Sequence, residues 1–156
     1  MNKIKNNRKG FTLLELLVVV LIIGVLAAIA IPQYQMAVGK AKYAELKTIT
    51  KSVQEAAQRY YMIHGTYVGI QKKDLDIQVS QSCVIWDETQ QPYVACYKTI
   101  FGTRVSHYVN IETGLPYDCT AFSTDKTDKA NQLCQKETGK SARAAIAGSY
   151  YYSYRY

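Results

Sequence analysis

Between residues 11 and 31, inside "GFTLLELLVVVLIIGVLAAIAIP", only Thr12, Glu15 and Gly24 are not hydrophobic. Coiled as a helix, such a run is about 30 Å long, enough to cross the hydrocarbon core of a bilayer. This segment limits everything else: in a chain of 156 residues it consumes length that would otherwise build a core, so the globular part is small and a single domain. Glu15 is the anomaly. An ionised carboxylate at bilayer depth costs about 3 kcal/mol or more unless something pairs with it.

Three readings of the segment compete. A single transmembrane anchor accounts for the length. A cleaved secretory signal accounts for the basic start, the apolar run and the small-residue site "AIA" at 28–30,. Neither gives Glu15 a partner. A cut between Gly10 and Phe11 that keeps the apolar part does: Phe11 becomes the amino terminus and Glu15 the fifth residue. The carboxylate then meets a free amine, its own or a neighbouring copy's, and two charges too costly to bury singly are tolerable together. A pair formed between copies also sets their register.

A short basic leader ending in Gly10, then "GFTLLE", then a long apolar run with Pro32 at its end, resembles the type IV pilins and their relatives with class III signal peptides. The resemblance covers about the first 60 residues. It implies cleavage after Gly10 by a prepilin peptidase on the cytoplasmic side, methylation of the Phe11 amine, and neutralisation of that amine by Glu15 of an adjacent subunit. It further implies that the stretch from Gly24 to Pro32 is where the helix loosens when subunits pack into a filament. Assembly energy then comes from separate pilus assembly machinery.

Four cysteines, Cys83, Cys96, Cys119 and Cys134, lie in the second half of the chain. Their wide spacing disfavours a zinc site, which uses close pairs, and favours disulfides in an oxidising compartment. Three pairings are possible; the sequence-local one, Cys83 with Cys96 and Cys119 with Cys134, is preferred. Net charge is +7, of which Lys3, Lys5, Arg8 and Lys9 contribute four, leaving a mild excess that does not argue for a nucleic-acid-binding surface,. Lys40, Lys42, Lys47 and Lys51 nearly balance those leader cations across the apolar run, so charge alone does not orient it. The cysteines do: the amino terminus is expected in the cytoplasm and the head outside.

Past Pro32, which should bend or interrupt the helix, the pattern becomes periodic. Gly24 and Gly39 weaken the helix further. Leu46, Ile49, Val53, Ala56, Tyr60 and Ile63 recur at steps of three and four, with Lys47, Lys51, Glu55 and Arg59 on other faces,. Gly65 is a good helix stop. After a loop around "VGIQKKDLD", the runs "SCVIW", "YVACYKTIF" and "RVSHYVNI" read as strands, with a hairpin turn at Gly102 and Thr103 and another at "TGLP",. The stretch "CTAFSTDKTDKANQLC" reads as a polar, disulfide-bounded loop with one short helical turn at residues 129–133. It loosely resembles the loop near the carboxyl end of many type IV pilins. The tail "GSYYYSYRY" reads as a last strand with aromatic packing, in preference to a binding surface.

The expected fold is α+β: a long N-terminal helix, membrane-spanning in its first half and amphipathic in its second, packed on an antiparallel sheet of three or four strands. Residues 1–10 are the leader, 11–31 the transmembrane and assembly helix, 32–64 its continuation and 65–156 the head. No catalytic constellation emerges around His64 or His107, and no phosphate loop or dinucleotide fingerprint is present. Asp118, Asp125 and Asp128 lack calcium-loop spacing, so no metal or cofactor is expected. The reading is a structural, non-enzymatic pilin, inserted in the inner membrane and then polymerised as a homo-oligomeric surface filament. Its rivals are a pseudopilin of a type II secretion system and a minor pilin for adhesion or DNA uptake. Lys40, Lys42, Lys47 and Lys51 with Tyr43 give the last only slight basic and aromatic character.

Overall fold

The computed structural model describes residues 10–87, 92–142 and 152–156. Helix α1 covers Leu13–His64, and the chain divides into two units, Met1–Gln35 and Met36–Tyr156. In the first unit the apolar side chains of α1 are exposed all round, Leu13, Leu21 and Ile31 among them. The helix is long and apolar enough to cross a membrane. It continues through Pro32, so of the expected bend or interruption the interruption does not occur. A proline removes one ladder hydrogen bond, and the intact turns on either side carry the helix across the gap.

The second unit is a head built on the remaining turns of α1. Its buried positions, Gly39, Tyr43, Leu46, Thr50, Val53, Gln54, Ala56 and Ala57, form one stripe. Ile49 and Tyr60 flank it, half-buried. Ile63, expected in the stripe, is 78% exposed because it lies in the last turn, beyond what the core covers. Gly65 ends the helix at φ +71°, its N–H donating to the Tyr61 carbonyl at 2.7 Å.

Five antiparallel strands, β1 (Cys83–Trp86), β2 (Tyr93–Ile100), β3 (Thr103–Asn110), β4 (Pro116–Ala121) and β5 (Tyr152–Arg155), pair in sequence order. The tyrosine-rich tail supplies the expected last strand, its residues 148–151 lying outside the described ones; the strand not expected is β4, whose Cys119, Thr120 and Ala121 pair with β3 instead of opening the polar loop. Tyr154 points into the core and its hydroxyl donates to Asn131 Oδ1 at 3.1 Å. Helix α2 (Lys129–Thr138) exceeds the single turn expected. Asp128 caps its first turn, accepting from the Ala130 N–H, and Gly139 closes its end in the left-handed conformation,. Cys83 is bonded to Cys96, its direct partner across β1 and β2, and Cys119 on β4 to Cys134 on α2. All four are fully buried. Each loop closure is worth about 3 kcal/mol in the chain-entropy picture.

The β2–β3 hairpin turns at Phe101 and Gly102, one residue earlier than the sequence suggests. Both have positive φ, +56° and +83°, the sign pattern of a primed hairpin turn. For a phenylalanine this costs about 1–2 kcal/mol. The offsetting contact is on α1: a Cβ added to Gly39 would lie 2.0 Å from the tip of the Phe101 ring. Gly39 is therefore not a blemish in the helix but the seat of that ring.

A buried polar cluster pins the chain's last residue to the helix. The Tyr43 hydroxyl lies 3.0 Å from His107 Nδ1 on β3 and 3.0 Å from the Tyr156 hydroxyl. Lys47 stands over the Tyr43 ring and pairs with Glu137 of α2 at 2.8 Å. Gln54 and Gln58 donate to the Ile111 carbonyl at 2.9 and 3.0 Å, fixing the β3–β4 turn to the helix. Burial, reinforced by the Lys47 charge, lowers the His107 pKa to about 4, whereas burial raises that of Asp118.

Two outcomes follow for unfolding of the full chain in detergent. Gly39→Ala should lower stability by about 1–3 kcal/mol through overpacking. In a Phe101→Gly background the same change should be neutral or stabilising, since alanine is the better helix former by about 1 kcal/mol; equal losses in both backgrounds would contradict the ring contact. His107, neutral when folded but protonated near pH 6.5 when unfolded, should cost the head about 2 kcal/mol as pH falls from 6.5 to 5. Asp118 acts with the opposite sign. Thermal unfolding at the two pH values measures the loss, and His107→Gln should remove most of it.

Candidate functional site: the amino-terminal turn of α1

The first turn of α1 begins with Thr12, and its side chain and that of Glu15 are reciprocally bonded. The Thr12 N–H donates to Glu15 Oε2 at 2.7 Å and the Thr12 hydroxyl to the same oxygen at 2.8 Å. The Glu15 N–H donates back to Thr12 Oγ1 at 3.2 Å. This is a capping box, T-x-x-E, satisfying orphan donors at a helix start. The pattern "TLLE" is visible in the sequence, and reading Glu15 only as an amine partner passes over it. A cap contributes about 1 kcal/mol, less than the cost of a carboxylate at bilayer depth. Capping alone therefore does not offset that cost.

Immediately before this turn the chain is open. Phe11 is 81% exposed, and a Cβ added to Gly10 would meet nothing within 4 Å. Among the described residues nothing packs where a side chain at residue 10 would begin. The same holds for Gly24, in contrast to Gly39. Gly24 and Pro32 both sit within α1, about 12 Å apart along its axis, and share no contact.

The other sequence-derived candidates are structural. Asp118 accepts from Ser153 Oγ at 2.5 Å and from the Tyr154 N–H, Asp125 from Thr127, and Asp128 caps α2. Among the described residues no group of three or more His, Cys, Asp or Glu side chains is placed to hold a metal. His64 stacks on Tyr60 and its Nδ1 lies 2.9 Å from the Tyr60 carbonyl. Of the basic-aromatic set on α1, Tyr43 is buried, Lys47 pairs with Glu137, and Lys51 donates to Gln54 at 2.8 Å. Of that set, Lys40 and Lys42 stand exposed with no partner among the described residues.

Residues 5–31 match the family described as the prokaryotic N-terminal methylation motif. The chain is 40% identical over 62 residues to a fimbrial protein of Neisseria meningitidis, covering 40% of this chain and 36% of that protein. It is 40% identical over 60 residues to the type IV major pilin protein PilE of Neisseria gonorrhoeae, covering 38% and 36%. With the type IV major fimbrial protein FimA of Dichelobacter nodosus it shares 46% identity over 54 residues, 35% of each chain. The match thus spans about a third of the length of these relatives. No solved structure matches. Residues 5–31 thus match an N-terminal methylation motif, and about the first 60 residues are similar to type IV pilins and fimbrial proteins, while the five-stranded head lies mostly outside the similarity.

Proposed function

We propose that this chain is the structural subunit of a type IV pilus, processed after Gly10, methylated at Phe11 and polymerised through the first half of α1. In this reading residues 1–10 are the leader, 11–31 the transmembrane and assembly helix, 32–64 its amphipathic continuation and 65–156 the head. A prepilin peptidase removes the leader, and the precursor spans the inner membrane with its amino terminus in the cytoplasm until the assembly machinery draws it into a fibre on the cell surface. The chain itself catalyses nothing.

One observation carries the reading: a carboxylate in the first turn of an apolar helix, with an open, uncrowded chain immediately before it. The exposed side chains of that turn and of those after it need a cover, first lipid and then the helices of other copies. Hydrophobic packing is non-directional, so it holds a helix bundle together without fixing its register. A charge pair between Glu15 and the Phe11 amine of a neighbour supplies the register. Removal of the leader leaves Thr12 in place, so Glu15 keeps its cap while it awaits that partner. Gly24 and Pro32 supply the points at which the helix yields during packing.

Substitutions separate the cap from the charge. Glu15→Gln preserves a capping-box side chain and removes the charge; it should leave membrane insertion intact and cut the sheared fibre yield about tenfold or more. Thr12→Ala weakens the cap and keeps the charge, and its yield should stay near that of the parent chain. Normal fibres from Glu15→Gln would reduce Glu15 to a helix cap. Gly10→Asp should accumulate full-length chain in the membrane, and a normally shortened product would remove the cleavage assignment.

A further inference from the structure

Among the described residues every acidic side chain but one makes an ion pair or a hydrogen bond. Glu45 pairs with Lys98, Glu55 with Lys51, Asp76 with Arg59 and Glu137 with Lys47, while the others accept hydrogen bonds from backbone or hydroxyl groups. Glu112, in the β3–β4 turn, has neither an ion pair nor a side-chain hydrogen bond. In a chain of net charge +7 that is an unusual carboxylate to leave unused.

Glu112 borders a groove of about 420 Å³, lined also by Gln58, Tyr61, Met62 and Tyr67. The Tyr61 and Tyr67 rings stack with centroids 4.6 Å apart, and Gln58 is held by the Ile111 carbonyl, so the walls are fixed. The rim is apolar and open: Met62 is 76% exposed, with Ile63 and Val68 beside it also exposed. The groove adjoins the carboxyl end of α1, where the helix dipole favours cations. A cation on an apolar stem, a lysine side chain, fits this combination of ring faces, methyl groups and carboxylate.

The same head offers the complement. Lys40 and Lys42 are exposed and have no partner among the described residues, and Ala37 and Ala41 of the same turns are exposed and small, leaving room for the Met62 and Ile63 side chains of another molecule. Along α1 this turn lies about 30 Å from the groove, too far for the two to meet within one chain. Two unlike, complementary patches at opposite ends of one body make a heterologous contact, which repeats as an open helical array instead of closing into a dimer.

We propose that the Glu112 groove of one copy receives the turn bearing Lys40 and Lys42 of a second copy, forming a head-to-head-domain contact along the fibre. The contact rests on the pilus-subunit reading and adds to it a specific polar register between heads. Opposite charges brought together on an apolar and aromatic background steer and select the partner more than they add bulk affinity.

Carbodiimide treatment of intact fibres of the unaltered chain tests the pairing directly. The reagent activates the Glu112 carboxyl, a lysine Nζ displaces the resulting urea, and an amide remains. Peptide mass spectrometry should find Glu112 joined to Lys40 or Lys42 in fibres and not in detergent-dispersed monomers. Linkage of Glu112 only to other lysines, or none, would overturn the proposal. Charge reversal gives a second readout: Glu112→Lys, and Lys40→Glu with Lys42→Glu, should each lower fibre yield about tenfold, and the combination should restore it to within about threefold. A Glu112→Lys chain with full fibre yield, or a combination no better than its parents, would equally defeat it. Failure of the unaltered chain to form fibres would instead bring down the functional reading on which the contact rests.

Discussion

The first half of α1 presents exposed hydrophobic side chains on every face. At about 25 cal/mol per Å² of apolar surface, leaving that helix in water is costly. The Thr12 cap offsets part of the cost of the Glu15 carboxylate,. In the filament proposed above, lipid and then the helices of other copies would cover the apolar faces, and an ammonium group of a neighbour would satisfy the carboxylate.

The second half of the same helix is the spine of a small head that its apolar core alone would hold weakly. Two buried disulfides tie β1 to β2 and β4 to α2. Contacts to two strand turns then fix the helix in place: the Phe101 ring over Gly39 at one end, and the Gln54 and Gln58 amides on Ile111 at the other. Between them Tyr43 joins His107 to the final residue, Tyr156. A strained hairpin turn and a buried neutral histidine are local costs accepted for this seating.

Much of this was legible in the residues, for reasons that can be named. Continuous apolarity over 11–31 and the switch to a three-and-four spacing near Leu46 are strong periodic signals, as is Gly65 at a helix end. The tail was legible as a strand, whereas β4 and the full length of α2 lay in a stretch whose polar residues read as a loop and whose helix cues were only the caps Asp128 and Gly139. The shift of the hairpin turn to Phe101 and Gly102 was beyond sequence reasoning, because only the packing of the ring on Gly39 makes positive φ acceptable at a phenylalanine. The Glu15 site was half legible: its cost pointed to a partner, while the plain T-x-x-E cap was overlooked in favour of the amine.

The most direct test of the account is the intact mass and amino-terminal peptide of the chain in material sheared from the cell surface. The account predicts a fibre fraction whose subunit begins at methylated Phe11 and retains the apolar helix. A chain that begins at Ile31, the last residue of the apolar run, or that is absent from the sheared fraction, would contradict it.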